Sequence, residues 1–118
     1  MRRKILAVDF DDTLFWTSYY SYECEPNWPV IKYVRKRQKE GWIIILWTCR
    51  CREESIAEAV AKCEEYGIKP DYVNENAAQT IEQYGDPRKI LCDELIDDTV
   101  RHTVKEIYKD GRKQTHII

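Results

Sequence analysis

Short runs of consecutive apolar residues recur along the chain, separated by segments with helical spacing. The runs at 4–8 and 42–47 are continuous rather than alternating, which indicates strands buried on both faces. Shorter candidates lie at 71–74 and around 94–96, and residues 114–118 could supply a final edge strand. Because such strands need helices on both sides of the sheet, the pattern predicts an α/β fold with a central parallel sheet.

Four helices are predicted between these strands. Asn27 can cap the first helix, and Gly41 ends it. The other three are expected at about 53–66, 77–84 and 99–109. With right-handed crossovers, this order of elements predicts a three-layer Rossmann-like sandwich with a parallel sheet of about five strands. The 118 residues have room for a single domain, 1–118.

The charges nearly cancel, with 19 Lys and Arg against 21 Asp and Glu, for a net charge of -2. A protein that binds duplex nucleic acid by neutralising phosphates normally has a basic excess, so the balance disfavours this class. It does not exclude a nucleotide or a short strand end, which a few groups can hold. The basic cluster at 35–39 is most simply a solvated helix face, with a nucleic-acid contact as the alternative.

Five cysteines form an odd set without a CxxC pair, which predicts a reducing compartment and no disulfide framework. Cys49 and Cys51 are close in sequence, but no second pair supplies the other ligands of a zinc site. The apolar stretch after the basic N-terminus stops at Asp9, too early for a signal peptide or a membrane span. We therefore expect a cytoplasmic location and no membrane partner.

Acidic and hydroxyl side chains follow three of the predicted strands, in the segments 9–13, 48–50 and 97–98. Ligands bind beyond the carboxyl ends of the strands in open parallel sheets, so these segments are expected to meet there. Several aspartates at one edge repel one another unless a cation lies among them, and Mg²⁺ prefers such oxygen ligands. Each segment alone is equally typical of a turn or a helix cap.

Residues 8–14, Val-Asp-Phe-Asp-Asp-Thr-Leu, resemble the first signature motif of the haloacid dehalogenase-like superfamily, Asp-x-Asp-x-Thr after the first strand. Residues 43–48 match the second motif, an apolar strand ending in Ser or Thr, and residues 95–98 match the acidic fourth motif. The resemblance covers essentially the whole chain. Leu-Trp-Thr-Cys-Arg at 46–50, with Asn-Glu-Asn at 74–76, is similar to small phage-like members that lack a cap domain.

The resemblance implies a Mg²⁺-dependent phosphohydrolase that acts on a phosphomonoester through an aspartyl phosphate. Asp9 would be the nucleophile, and Asp11 would be the general acid and then the general base. Thr48 would hydrogen-bond a phosphoryl oxygen. The side chains of Asp9 and Asp97 and the carbonyl of Asp11 would hold the metal, and Asp98 would orient its ligand shell.

Cys49 and Arg50 follow Thr48 and are expected to contribute to substrate binding. The third motif of the family is a lysine, for which Lys89 is the preferred candidate, with Lys62 and Lys69 as alternatives. Asp12 stands where many relatives carry glycine, and metal binding, turn capping and substrate choice are all open to it.

The segment at about 15–27 is a short flap rather than a cap domain. The resemblance then implies a substrate that is a phosphorylated small molecule or a macromolecular phosphate ester that covers an open site. The flap and the residue after it are rich in aromatic side chains, which could stack on a base or sugar, form a homo-oligomer interface or simply cover the sheet. They are Trp16, Tyr19, Tyr20, Tyr22 and Trp28.

Other functions remain open at this point. A non-catalytic or regulatory binding module could keep the acidic cluster, and the phosphatase could be specific for nucleotides or nucleic-acid ends. A phospho-acceptor receiver domain would place its acidic pair after the first strand and its acceptor later, which is the reverse of this order. Dehalogenases do not need Asp11, and a phosphomutase would need a cap to retain its intermediate.

Overall fold

A parallel sheet lies at the centre of the structure, a computed structural model that describes residues 2–17 and 24–98. In chain order the elements are β1 (Ile5–Val8), β2 (Phe15–Thr17), β3 (Cys24–Pro26), α1 (Trp28–Lys39), β4 (Ile43–Leu46), α2 (Glu53–Glu65), β5 (Tyr72–Val73), α3 (Ala78–Tyr84) and β6 (Glu94–Ile96). The central sheet has the order β5-β4-β1-β6, and all its pairs are parallel.

The predicted α/β class with a parallel sheet is confirmed. The described residues contain four strands of this sheet rather than about five. The expected fifth strand, 114–118, and the helix at 99–109 lie outside the described residues. No helix in the described ranges is long and apolar enough to cross a membrane.

β1 and β4 are buried along their whole length, as continuous apolar runs predict. Their side chains alternate between two hydrophobic clusters because successive residues of a strand point to opposite faces. Leu6, Val8, Ile44 and Leu46 pack with residues of α1 and α2. The second cluster contains Ala77, directly before α3, together with the alternate strand residues Ile5, Ala7, Ile43 and Ile45. The core therefore lies on both faces of these two strands.

In the part of the flap that the structure describes, β2 and β3 pair as antiparallel strands. Phe15 is fully buried and its ring centroid lies 5.0 Å from that of Phe10, whereas the next residue, Trp16, is 52% exposed. This alternation is typical of a strand that covers a core with one face. Of the flap aromatics, Tyr19, Tyr20 and Tyr22 lie outside the described residues.

The start of α1 is tied to the loop that follows β1. Asn27 precedes the helix as predicted, but its side chain makes no capping hydrogen bond. Its Nδ2 instead donates to the carbonyl oxygen of Thr13 at 2.8 Å, and its backbone N–H donates to that of Leu14 at 2.9 Å. The first turn of α1 is thereby fixed beside the segment 9–14.

Two aspartates bind backbone N–H groups at the amino ends of the parallel strands. Asp93 Oδ2 accepts the backbone N–H of Ile5 at 2.8 Å, and Asp71 Oδ2 accepts that of Ile44 at 2.8 Å. Both carboxylates thus bind where β1 and β4 begin. Asp93 thereby has a structural role, since it satisfies a backbone donor at the start of β1.

Candidate active site

The carboxyl ends of β1, β4 and β6 meet at one edge of the sheet. Val8 is in register with Leu46 on one side and with Ile96 on the other. The backbone N–H of Asp9 donates to Ile96 at 2.9 Å, and that of Trp47 donates to Val8 at 2.9 Å. The segments singled out after these three strands therefore lie side by side.

Three carboxylates form a cluster at this edge. Asp9, Asp97 and Asp98 each present an oxygen atom, and these atoms all lie within 4.8 Å of one another. Thr13 Oγ1 donates a long hydrogen bond of 3.4 Å to Asp9. Side-chain oxygens at such spacing suit a hard divalent cation, so the donor set fits Mg²⁺. The side chain of Asp11 does not belong to this cluster.

Burial raises the pKa of Asp9 from its ordinary value of 3.8 to about 6. The backbone of Phe10 counteracts this with a hydrogen bond, while Asp97, Asp98 and Asp11 add repulsion that raises it further. The pKa of Asp98 is also raised, first by its hydrogen bond with Asp97. Bringing these groups together in ionised form opposes folding, and a cation among them would offset that cost.

We predict that Asp9→Asn stabilises the metal-free protein at pH 7 by about 1 kcal/mol, the full linkage value being reduced for solvent screening. A raised pKa in the folded state means that the fold is favoured while Asp9 is protonated. This advantage is complete below pH 4 and is lost as the pH rises through about 6. Urea unfolding in EDTA at pH 7 and pH 4 measures the difference, which should nearly vanish at pH 4. A wild type as stable as Asp9→Asn at pH 7 would contradict it.

Asp11 is bound by a planar guanidinium rather than by the acidic cluster. Arg50 Nε donates to Asp11 Oδ2 at 2.9 Å, and Arg50 Nη2 donates to Oδ1 at 2.8 Å. The hydroxyl of Thr17, on β2, also donates to Oδ1 at 2.8 Å. The hydrogen bond from Arg50 is the main cause that lowers the pKa of Asp11, and the one from Thr17 adds to it. In this arrangement Asp11 is a carboxylate.

Arg50 is held in place from several sides. Its Nη1 donates to the carbonyl oxygen of Ser55 at 3.0 Å, and its guanidinium lies 4.7 Å from the centroid of the Phe10 ring. Its side chain is only 17% exposed. A bidentate pair with such support is geometrically specific, which a lysine could not reproduce.

Asn74 fixes the turn that carries Thr48 and Arg50. Its Oδ1 accepts the N–H of Thr48 at 2.8 Å, and its Nδ2 donates a long hydrogen bond of 3.4 Å to the carbonyl oxygen of Arg50. The hydroxyl of Thr48 accepts the backbone N–H of Arg50 at 3.2 Å. Thr48 therefore supports the turn, and its hydroxyl does not line the cavity beside it.

A cavity of about 930 Å³ opens over these groups. This is within the range of small-molecule sites. Its walls come from the strand-end segments, the flap and α2. They are Asp9, Phe10, Asp11, Asp12, Thr17, Cys24, Glu25, Cys49, Arg50, Ser55, Glu58, Lys62 and Asp98. The expected substrate residues Cys49 and Arg50 thus line it, whereas Asp97 belongs to the acidic cluster but not to the lining of the cavity.

Of the three candidate lysines, the structure brings Lys62 to the cavity. Lys89, the preferred candidate, is exposed and does not line it, and its carbonyl oxygen accepts a hydrogen bond from Asn76 at 3.0 Å. Lys69 is also exposed and does not line it. Lys62 Nζ lies 3.4 Å from Glu65 on the same helix.

Asp12 adopts a left-handed conformation, with φ of 59°. Its backbone N–H donates to Phe15 at 2.7 Å, and its Oδ1 accepts a long hydrogen bond of 3.4 Å from the N–H of Thr17. A glycine adopts this φ without strain, and aspartate is among the residues that tolerate it. Among the roles left open, the contacts support turn formation.

Three contributors to the site had no role assigned to them from the sequence. Asn74 directly follows β5, so the rule that ligands bind beyond the carboxyl ends of parallel strands could have identified it. Thr17 reaches Asp11 only because β2 folds back over the segment 9–14, and Ser55 contributes a backbone carbonyl that any residue could supply. No local pattern signals either of these two contacts.

No family model matches the chain, and no curated protein matches it. Among solved structures, the chain is similar to a conserved protein from Bacteroides thetaiotaomicron. The similarity covers 94% of this chain and 93% of that protein, with a TM-score of 0.66 and 24% sequence identity. At this identity the likeness supports the shared α/β fold and carries no information on activity.

Proposed function

We propose that the protein is a Mg²⁺-dependent phosphohydrolase of the haloacid dehalogenase-like type, acting on phosphomonoesters. The observation that carries the proposal is that two carboxylates in different electrostatic environments lie beside one cavity. Asp9 lies in a cluster of three acidic groups, while Asp11, two residues later, is bound by Arg50. This division of environments is typical of sites in which paired carboxylates have separate roles.

The metal would be held by Asp9, Asp97 and Asp98, with the main-chain carbonyl of Asp11 as the further ligand that the resemblance implies. When bound, Mg²⁺ would offset the negative charge of the phosphoryl group and of the attacking carboxylate. Asp9 and Asp98 line the cavity. A phosphoryl group placed in the cavity can therefore approach the cluster directly.

In the first step, a carboxylate oxygen of Asp9 attacks phosphorus and the bond to the ester oxygen breaks. Asp11 gives its proton to the leaving oxygen, so the products are an alcohol and an aspartyl phosphate. Asp11, now a carboxylate, then takes a proton from water as the water attacks phosphorus. This second step breaks the bond to Asp9, releases inorganic phosphate and restores both carboxyl groups.

Arg50 must leave Asp11 before Asp11 can carry a proton, because the ion pair holds it ionised. The phosphoryl oxygens of the substrate are themselves good bidentate partners for a guanidinium. We infer that substrate takes over the hydrogen bonds of Arg50 and so releases Asp11, which then takes up a proton from water before the first step. Arg50 would then bind the transferred group rather than the acid.

Phosphate release from a panel of phosphomonoesters tests the proposal. We expect turnover with Mg²⁺ and at least about a 10²-fold loss after EDTA treatment, restored by added Mg²⁺. Calorimetric titration of Mg²⁺ into the wild type and into Asp98→Asn checks the ligand set separately from activity. Binding of Mg²⁺ without release from any ester would favour the alternative, a binding module in which Arg50 permanently neutralises Asp11.

A further inference from the structure

α1 carries a row of exposed cations on one face. Lys32, Arg35, Lys36 and Lys39 are spaced three and four residues apart, so they lie on the same side of the helix, and all are exposed. A shallow groove of about 430 Å³ runs between them and Glu40. We call these four residues, together with Trp28 one turn earlier, the α1 stripe.

The cations of the α1 stripe are unpaired within residues 2–17 and 24–98, where no carboxylate lies within ion-pair distance of them. Arg37, on the same helix, behaves differently: it binds Glu94 at 2.9 Å and stacks over Trp42. Since the chain as a whole has a net charge of -2, the four positive charges are a local concentration rather than part of a general basic excess.

An aromatic surface continues this row toward the active site. Trp28 is 46% exposed, and its ring centroid lies 5.4 Å from that of Tyr66. A cleft of about 440 Å³ is lined by Trp28, Arg35 and Tyr66, together with Glu65 and Gly67. Arg35 lines both this cleft and the basic groove, so the two surfaces are continuous.

The α1 stripe starts at the edge of the sheet that carries the active site. Trp28 follows β3 closely, and Cys24 and Glu25 of β3 line the cavity. The other end of α1 lies at the opposite edge, where Arg3 Nε donates to the carbonyl oxygen of Gly41 at 3.0 Å. From Trp28 to Lys39 the stripe spans about 16 Å at the rise of an α-helix.

We propose that the α1 stripe binds single-stranded nucleic acid and that the terminal phosphate of this strand is the group that enters the cavity. The inference rests on the proposed phosphohydrolase function, for which it names the substrate class. A row of cations ending in a half-exposed indole matches a chain of phosphates that carries flat bases. One helix face with four cations is too small a surface for the many phosphate contacts of duplex binding.

Two other polyanionic partners fit less well. An acidic peptide would satisfy the cations but has no group that requires the exposed ring of Trp28. An anionic membrane binds helices that insert an apolar face, and the apolar face of α1 is occupied, since Ile31 and Val34 are fully buried in the core.

The first experiment measures binding without turnover, with the Asp9→Asn protein. The probe is a fluorescent twelve-residue oligothymidylate with a terminal phosphate at the 3′ end or at the 5′ end. We expect binding whose logarithmic dependence on salt has a slope of about -3, from four cations on a single strand. Lys32→Glu combined with Lys36→Glu should weaken it at least about tenfold, and Trp28→Ala at least about fivefold.

Matched controls separate the surface from the overall charge. Lys4→Glu combined with Arg88→Glu makes the same change of net charge at exposed residues outside the α1 stripe, and its binding should stay within about twofold. Lys32→Gln combined with Lys36→Gln is the milder variant should the charge reversals disturb folding. Equal weakening by both pairs of reversals, or equal competition by polyglutamate of the same length or by anionic lipid vesicles, would overturn the proposal.

Turnover then separates this inference from the function on which it rests. In the active protein, the stripe variants should lose phosphate release from the oligonucleotide at least about tenfold and keep release from p-nitrophenyl phosphate within about twofold. Unchanged oligonucleotide turnover would refute the role of the stripe while the phosphohydrolase stands. Absence of release from every ester would instead refute the proposed function, and with it the delivery of a terminal phosphate to the cavity.

Discussion

Asp9→Asn is expected to reduce phosphate release at least about 10³-fold, with the fold unchanged. The amide has nearly the shape of the carboxylate but lacks the charge and nucleophilicity needed to attack phosphorus. It also withdraws one anionic oxygen from the cluster with Asp97 and Asp98, so Mg²⁺ affinity should fall as well. Initial rates at saturating Mg²⁺, so that weakened metal binding is compensated, measure the loss due to the nucleophile.

Asp86→Asn is the matched control for this variant. Asp86 is an exposed carboxylate that neither lines the cavity nor belongs to the acidic cluster. Its replacement makes the same change of charge and should leave the rate within about twofold. A phosphorylated intermediate trapped by acid quench should be found in the wild type and be missing in Asp9→Asn. Turnover by Asp9→Asn close to that of the wild type would exclude Asp9 as the nucleophile.

Asp11→Asn should reduce steady-state turnover about 10²- to 10⁴-fold. Which of the two steps becomes slow should depend on the leaving group. An alkyl phosphate needs a proton on its departing oxygen, so the first step should be slow. Nitrophenolate leaves without a proton, so the first step should survive while the second, which needs Asp11 as base, stays slow. We therefore expect a burst of one nitrophenolate per active site followed by slow release of phosphate.

Stopped-flow absorbance at a tenfold excess of p-nitrophenyl phosphate measures the burst. Asp12→Asn is the control, because Asp12 is the adjacent carboxylate, also lines the cavity, and asparagine tolerates its left-handed φ of 59°. It should show the steady-state behaviour of the wild type without a burst. Equal losses for nitrophenyl and alkyl esters, with no burst from Asp11→Asn, would argue against a proton-transferring role for Asp11.

The sequence was most informative where a buried strand ends. Continuous apolar runs located the ends of β1 and β4, and a shorter candidate located that of β6. The rule that ligands bind at carboxyl ends then brought Asp9, Asp98 and Arg50 to one edge. That reasoning needs only the positions of the apolar runs and the parallel order of the strands. It does not depend on how any side chain is oriented.

This reasoning could not predict the contacts that a strand makes when it folds back over the site, or the contacts that loops make. The sequence alone does not favour Lys62 over Lys89 as the lysine of the third motif. The choice depends on which side of α2 faces the cavity and on the course of the loop before β6. That loop is held by the buried side chain of Asn76, which donates to the carbonyl oxygens of Pro87 and Lys89 and accepts the N–H of Leu91. These hydrogen bonds span more than ten positions in sequence, and no local pattern encodes them.

The hydroxyl of Thr17 connects the flap to Asp11 through a hydrogen bond. It belongs to β2, which pairs with β3, and β3 contributes Cys24 and Glu25 to the rim of the cavity. The carboxylate of Asp11 is therefore hydrogen-bonded to a strand pair that also borders the cavity.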